Sequence, residues 1–531
     1  MNLKKFTYLF AILLLVIIGV YSCSRYYINH GFRENYTNTN DAIHNASLSS
    51  SYFKIHLKNG DVCLLDNWEL TSNKDSIKGQ GNLFDFNRNQ FQEGDLSLNI
   101  DDIAIIETNQ LDAIKSKDKE RISSLSILTG ANLAIDIFCI TNPKACFGSC
   151  PTFYIQEGSL FHYANAEGFS SSISPSLEKQ DLDALQYSTS SNEFSLFMKN
   201  EAFETHMVNE LFVQAVPKKF GENIFHDKNK VFYNCGPIFN SNSALVDNKP
   251  IGNSINNFDD NEYYSPSDEF DLAAKEEIVL EFDNIPSRNL GAVINFRQTL
   301  LTTYLLYTGI SYMGNEVGDY FTKIETNKKV KKLLSNPFKR LGNIKIFVWN
   351  ELLKDWELFE ELYETGPIAK NLMIAPLPNL TRTDDKIKIK VELTKGLWRI
   401  DYFGLTPINS VVKPLKLYPT DLEIIDGEDY SLDQVKYYDN KYLISFPGNE
   451  FKFNFKFPDL KKDNEYELFL SSKGYYLEWI REDWIVNKDL PKLKKMLLND
   501  DKTWLDLAKH FKSVESEMEE VFWNSKYYDT Q

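Results

Sequence analysis

The stretch Lys386–Ile408, KIKIKVELTKGLWRIDYFGLTPI, decides the fold class. Ile387, Ile389, Val391 and Leu393 alternate with Lys386, Lys388, Lys390 and Glu392. That period of two belongs to a strand with one buried face, not to a helix. The pattern recurs outward in both directions. It appears in IKIFVWNELLKDWELF from residue 344, in EIVLEFDNIP at 277–286 with a proline stop, and in YLISFPGNEFKFNFKFP at 442–458. YELFLSSKGYYLEWI at 466–480 repeats it once more. The chain therefore reads as mainly β, with two or more β-sandwich domains and few helices.

Residues 277–412 resemble a jelly-roll or galactose-binding-like sandwich, and 413–531 reads as a β-rich region ending in a helix. RQTLLTTYLLYTGISYMGNEVGDYFTKIE (297–325) is helix-like in places, with Leu300, Tyr304, Tyr307 and Ile310 near helical spacing, interrupted by Gly309, Gly314 and Gly318. At the C-terminus, Trp504, Leu507, Ala508, Phe511, Val514, Met518, Val521 and Phe522 form one apolar helical stripe that should dock on a core. Residues 51–110 hold five or six short strands, the pattern of a small β-barrel. In YFKIHLKNGDVCLLDNW, Asn59-Gly60 is expected to make a type I′ turn, with Ile55 and Leu57 facing Val62 and Leu64. The apolar run 122–140 contains Asn132 and Asp136, so a buried segment is favoured over a bilayer span. Residues 122–250 read as a β-sandwich and 251–276 as an acidic linker. Asp259, Asp260, Glu262, Asp268, Glu269 and Asp271 cluster around that linker, but the order of a calcium loop is absent.

The 531 residues carry a formal net charge of −17, which disfavours a phosphate backbone as partner, so no nucleic acid is expected. The best basic run, NKKVKKLL at 327–334, reads as the solvated face of a short helix. The N-terminus combines MNLKK with the apolar FTYLFAILLLVIIGV, the layout of a signal peptide over 1–22. Val20-Tyr21-Ser22-Cys23 resembles a bacterial lipobox, and the resemblance implies cleavage before Cys23 and its acylation (palmitate or a similar chain). Residues 23–50 are polar and read as a flexible tether. The expected location is extracytoplasmic, lipid-anchored to a bacterial membrane, with the periplasmic face favoured over the cell surface.

Besides Cys23 there are five cysteines, at 63, 139, 146, 150 and 235. In ACFGSCPTFY (145–154), Cys146 and Cys150 flank a glycine turn and are candidates for a disulfide. A reduced pair, pairing with Cys139 or Cys235, or a metal site remain alternatives, though the spacing fits no usual zinc arrangement. The motif C-F-G-x-C-P-x-[FY], carried by Cys146, Phe147, Gly148, Cys150, Pro151 and Tyr154, resembles that of uncharacterised multi-domain lipoproteins of the Bacteroidota. AEGFSSSISPSLE (166–178), EAFETHMV (201–208), GLWRIDYFGLTP (396–407) and GYYLEWIREDW (474–484) are similar to the same group. The resemblance implies a secreted multi-domain β architecture and no particular reaction.

Seven scattered histidines make no HExxH. Glu204 and His206 share a strand face and read as a structural pair. GISYMG (309–314) approaches a nucleophile elbow at Ser311 with the second glycine one position late. No cofactor and no metal site is expected. The reading is a membrane-anchored binding or scaffold protein, with carbohydrate as one candidate ligand and Trp398, Tyr402, Tyr475, Tyr476 and Trp479 as candidate platforms. The alternatives are a subunit among envelope proteins, or a hydrolase with an interdomain site near Glu478, Arg481, Glu482 and Asp483.

Overall fold

A computed structural model describes residues 52–108 and 151–525, apart from short internal breaks. Cys23, the tether, the 122–140 segment, Cys139, Cys146, Cys150, Trp479 and residues 481–483 lie outside the described residues.

The chain is mainly β. Its first unit is an antiparallel sheet of Tyr52–Leu57, Val62–Leu70, Ser76–Phe84, Gln90–Asn99 and Ile103–Thr108, with the fifth strand returning beside the first. A single-turn helix at Ile100–Asp102 makes that return, and the Asn99 side chain accepts from Asp101 N at 3.0 Å to start it. The five strands curl around one core that includes Ile55, Leu57, Cys63, Leu65, Ile77, Leu98 and Ile103. The first hairpin forms where expected, but its turn differs. Gly60 takes positive φ, at 80°, and Asn59 does not. Gly60 N donates to Leu57 O, and Leu57 N to Asp61 O, both at 2.9 Å. The loop is thus one residue longer than a type I′ turn, which shifts the register by one. Ile55 lies opposite Cys63, so Cys63 and Leu65 share its core while Val62 and Leu64 pack on Phe84 elsewhere.

Two sandwiches follow, and they are interleaved in the chain. One sheet of the first runs Asp421–Asp426, Glu450–Lys456, Glu193–Lys199, Thr152–Glu157, Leu160–Tyr163. Its mate is built on the long pair Glu204–Lys218 and Glu465–Glu478, flanked by Leu415–Leu417 and Lys179–Thr189. Phe451, Phe453 and Phe455 meet Val208, Leu211 and Leu470 between the sheets. Residues 223–412 are inserted between these halves and form the second sandwich. A six-stranded sheet containing Lys275–Asp283 and Lys386–Thr394 faces a sheet whose strands Phe232–Cys235, Asn223–His226, Asn371–Pro376, Leu290–Gln298 and Trp398–Val412 pair in a closed ring. The opening stretch keeps its promise there: Ile387, Ile389, Val391 and Leu393 are all buried in the core between the sheets.

This corrects the linear division of the chain. The 122–250 and 413–531 regions do not fold as separate units, because their strands pair with each other across more than 200 residues, as Met207 does with Tyr475. Alternation identifies a strand but carries no information about its partner. The acidic segment is also not a linker. Tyr263 and Tyr264 pair with Ile400 and Arg399, and Leu272 is fully buried. Glu262 is held by both Arg297 Nε and a terminal nitrogen at 2.5 Å, Asp260 pairs with Lys370, and Asp268 accepts from Phe270 N and Asp271 N. Five of the six carboxylates, Asp259, Asp260, Glu262, Asp268 and Asp271, are engaged in internal bonds, and no group of three metal-ligating side chains occurs among the described residues.

Six helices of the described residues matter for the site. Four lie in one insert between strands of the second sandwich: α1 (Leu301–Met313), α2 (Val317–Thr326), α3 (Lys328–Leu334) and α4 (Asn336–Leu341). Near the C-terminus come α5 (Leu490–Leu497) and α6 (Asp501–Ser525). The α6 stripe docks as expected: Trp504, Leu507, Ala508 and Phe511 enter the core of the second sandwich. Further along, the same face brings two buried carboxylates. Glu519 accepts from Leu300 N at 2.8 Å, which caps α1, and ion-pairs Arg399 at 3.0 Å. Glu515 accepts from Ser267 N and Oγ at 2.8 and 2.9 Å. No helix of the described residues is long and apolar enough to cross a membrane.

Candidate functional site

The helical insert packs on the second sandwich through Leu301, Tyr304 and Leu305 of α1, and with α5 and the long strand pair of the first sandwich it encloses a common space. The space left is a cavity of about 750 Å³, within the range of sites that hold small organic ligands. Each wall has a sequence reason. Asp489 accepts from Lys492 N at 2.9 Å and a proline follows it, so α5 begins there. Asn327 accepts from Lys329 N and Val330 N at 3.0 and 3.3 Å, which starts α3 within one residue of the end of α2. Gly314, at φ 56°, ends α1.

The lining is mostly apolar. Leu306, Ile310 and Met313 of α1 meet Phe321 and Ile324 of α2, Leu334 of α3 and Leu493, Met496 and Leu497 of α5. Gly309 of α1 is buried, lines the cavity, and a Cβ built on it would meet no atom within 4 Å. The helix is therefore notched toward the empty space.

The strand side supplies the polar groups. Glu204 lies directly opposite Glu478 in the long pair, and His206 opposite Tyr476. Period two puts all four on one face, and Glu204, Tyr476 and Glu478 line the cavity. His206 Nε2 sits 3.1 Å from Glu204 Oε2 with both side chains buried, the structural pair expected from their spacing. The loop AEGFSSSISPS runs beside Tyr476: Tyr476 N donates to Ser172 O at 2.9 Å and its hydroxyl to Ser170 O at 3.4 Å. Glu167 in that loop accepts from Ile368 N and Ala369 N, each at 2.8 Å, which pins the 366–370 segment to the first sandwich. Gly366, at φ 100°, presses so close to the Glu167 carboxylate that a Cβ would collide with it. Behind this loop, burial pushes the Asp183 carboxyl well above the ordinary range, and the nearby charges of Asp181 and Glu167 push the same way. Gly168 N donates to Asp183 at 3.2 Å.

The charges on the wall are sorted. Glu167, Glu204 and Glu478 are buried, whereas Lys179, Lys328, Lys332 and Lys339 are exposed and Lys331 is half-buried. Lys331 Nζ donates to Ser176 O at 2.5 Å. Among the described residues none of these five lysines is in an ion pair with a carboxylate. The run NKKVKKLL is thus a short helix with a solvated face, as read, and that face borders the mouth of the cavity.

The N-terminal barrel braces the same region. Lys54, 1% exposed, pairs with Glu325 of α2 at 3.3 Å, and Glu325 also accepts from Ser176 N at 2.9 Å. His56 Nδ1 lies 2.9 Å from the Tyr475 hydroxyl.

The candidate aromatic platforms are placed otherwise than expected. Trp398, Tyr402 and Tyr475 are 1%, 3% and 0% exposed, and Tyr476 is 6% exposed. Trp398 sits in the core of the second sandwich, Tyr402 inside the strand ring, and Tyr475 under the barrel; a sugar cannot stack on them. Of the four platform candidates among the described residues, only Tyr476 lines the cavity, beside Glu478 from the hydrolase set. Ser311 lies inside α1, so the GISYMG segment forms no nucleophile elbow. Cys63 and Cys235 are free buried thiols, both pushed up to about 12 by burial, which makes them poor nucleophiles. Sequence reading missed the cavity because its walls come from segments near residues 170, 204, 310, 330, 476 and 495. The one local signal was Gly309 within an otherwise good helix.

No family model matches the chain, and no curated protein matches it.

Proposed function

We propose that this chain is a membrane-tethered extracytoplasmic binding protein whose ligand is a slender apolar molecule held in the cavity between the helical insert and the first sandwich. The observation that carries the reading is the cavity itself: about 750 Å³, lined by leucine, isoleucine, methionine and phenylalanine, with a glycine notch opening α1 toward it. An apolar void of this size exposes surface that water wets poorly, and an apolar guest recovers that free energy. The walls are pre-built by capped helices and by the Glu167 and Glu325 anchors, so binding costs little ordering. Tether and anchor rest on the signal-peptide layout and the lipobox resemblance at Cys23.

The test uses the full chain in amphipol and a long-chain photoreactive alkanol. Irradiation followed by peptide mass spectrometry should place the label on α1 and α5, and Gly309→Phe, which fills the notch, should abolish it. Labelling spread over the surface, or unchanged in Gly309→Phe, would count against the reading.

A further inference from the structure

The cavity's charges say more about the guest than its size does. In a chain of net charge −17, Lys328, Lys331, Lys332 and Lys339 of the helical insert all line this one cavity, and none is in an ion pair with a carboxylate of the described residues. Like charges that crowd without counterions raise the local potential and favour an anion there. Deeper in, the wall charges are the buried carboxylates Glu167, Glu204 and Glu478, already engaged by groups of this chain, and they offer an anion no charge of opposite sign. Between the two lies apolar wall from Leu306, Ile310, Met313, Phe321 and Leu497.

Resting on the cavity reading above, we propose that the ligand is a single-chain amphiphile with an anionic head, such as a long-chain carboxylate. Its head rests on Lys328, Lys332 and Lys339 at the mouth, and its chain runs inward past Gly309. The sorting of charge fixes the direction: head-in binding would bury an anion beside three carboxylates that offer it no opposite charge, an unfavourable desolvated contact. The head stays at the solvated rim, where each lysine adds only a modest gain. Together they should favour an anion over its neutral isostere by about tenfold.

The experiment compares a photoreactive alkanoate with the alkanol of equal length, again on the full chain in amphipol. The alkanoate should reach half-maximal labelling of α1 and α5 at about tenfold lower concentration, an advantage that shrinks as salt is raised. In Lys328→Glu/Lys332→Glu/Lys339→Glu the advantage should vanish while alkanol labelling stays, which shows the variant is folded. Equal labelling by both probes would overturn the anionic-head proposal and leave the cavity reading standing. Absence of labelling by either probe would overturn the cavity reading. Binding of the protein to anionic vesicles that depends on the same lysines, with no alkanoate advantage, would assign the patch to a membrane surface and also overturn the proposal.

Discussion

Gly309→Ala should stabilise this protein, which few substitutions at a buried residue do. Gly309 lies in the ninth position of the thirteen-residue α1, and glycine there costs about 1 kcal/mol relative to alanine. A Cβ at this position meets nothing within 4 Å, so no overpacking offsets the gain. The methyl also removes apolar surface from the cavity, which adds up to about 0.8 kcal/mol. The sum is about 1–2 kcal/mol, or a rise of about 2–8 °C in the melting of a domain the size of the second sandwich. Native-state hydrogen exchange of the α1 amides is the direct assay, because it reads the local gain without assuming two-state melting of the whole chain. In protein stripped of bound lipid, faster exchange or a lower melting temperature would mean that side chains of the protein itself fill the notch, and the account of the cavity would fail with it.

Three further outcomes follow from the packing. Asp183→Asn should flatten the dependence of stability on pH: the folded carboxyl titrates above its unfolded value, so its contribution is present below about pH 4 and is lost as pH rises through the folded pKa. The variant should therefore melt higher than the parent near neutrality and close to it in acid, and a neutral-pH loss in melting scans would refute this. Lys54→Met leaves Glu325 buried without its cation and should cost about 3–5 kcal/mol in denaturant titrations, most of it recovered by adding Glu325→Leu; no recovery in the double variant would show that the pair is not coupled. Ala215 pairs with Leu415, so the strands on either side of the insertion already run as a hairpin. Replacing residues 219–413 by a short turn should leave the first sandwich folded by circular dichroism and amide dispersion, and an unfolded product would deny that it is a separate unit.

The strands were legible because alternation is local. Ile387 to Leu393 can be read as one buried face without knowing what covers it, and so can the α6 stripe from Trp504 to Phe511. Partners were not legible, since Met207 finds Tyr475 only after the second sandwich has been inserted between them. The barrel hairpin shows how thin the margin is: one extra loop residue moved Cys63 into the core in place of Val62. Richness in aromatics pointed outward in the sequence and inward in the fold, because Trp398 and Tyr475 sit on strands covered on both faces. Acidic residues misled for the same reason. Glu262, Glu515 and Glu519 look like surface charge until the arginine, tyrosine and backbone N–H groups that hold them are brought across from distant segments. The lysine run at 328–332 was read correctly as an exposed helical face, but what that face borders depends on the tertiary fold alone.

The central claim is that the cavity holds a slender anionic amphiphile. Native mass spectrometry of the full chain, released gently from the membrane in which it was made, tests it most directly. The account predicts a bound molecule that fragments to a single-chain anionic lipid, retained by the parent and absent from Gly309→Phe. A parent that carries nothing, or a lipid retained equally by Gly309→Phe, would contradict it.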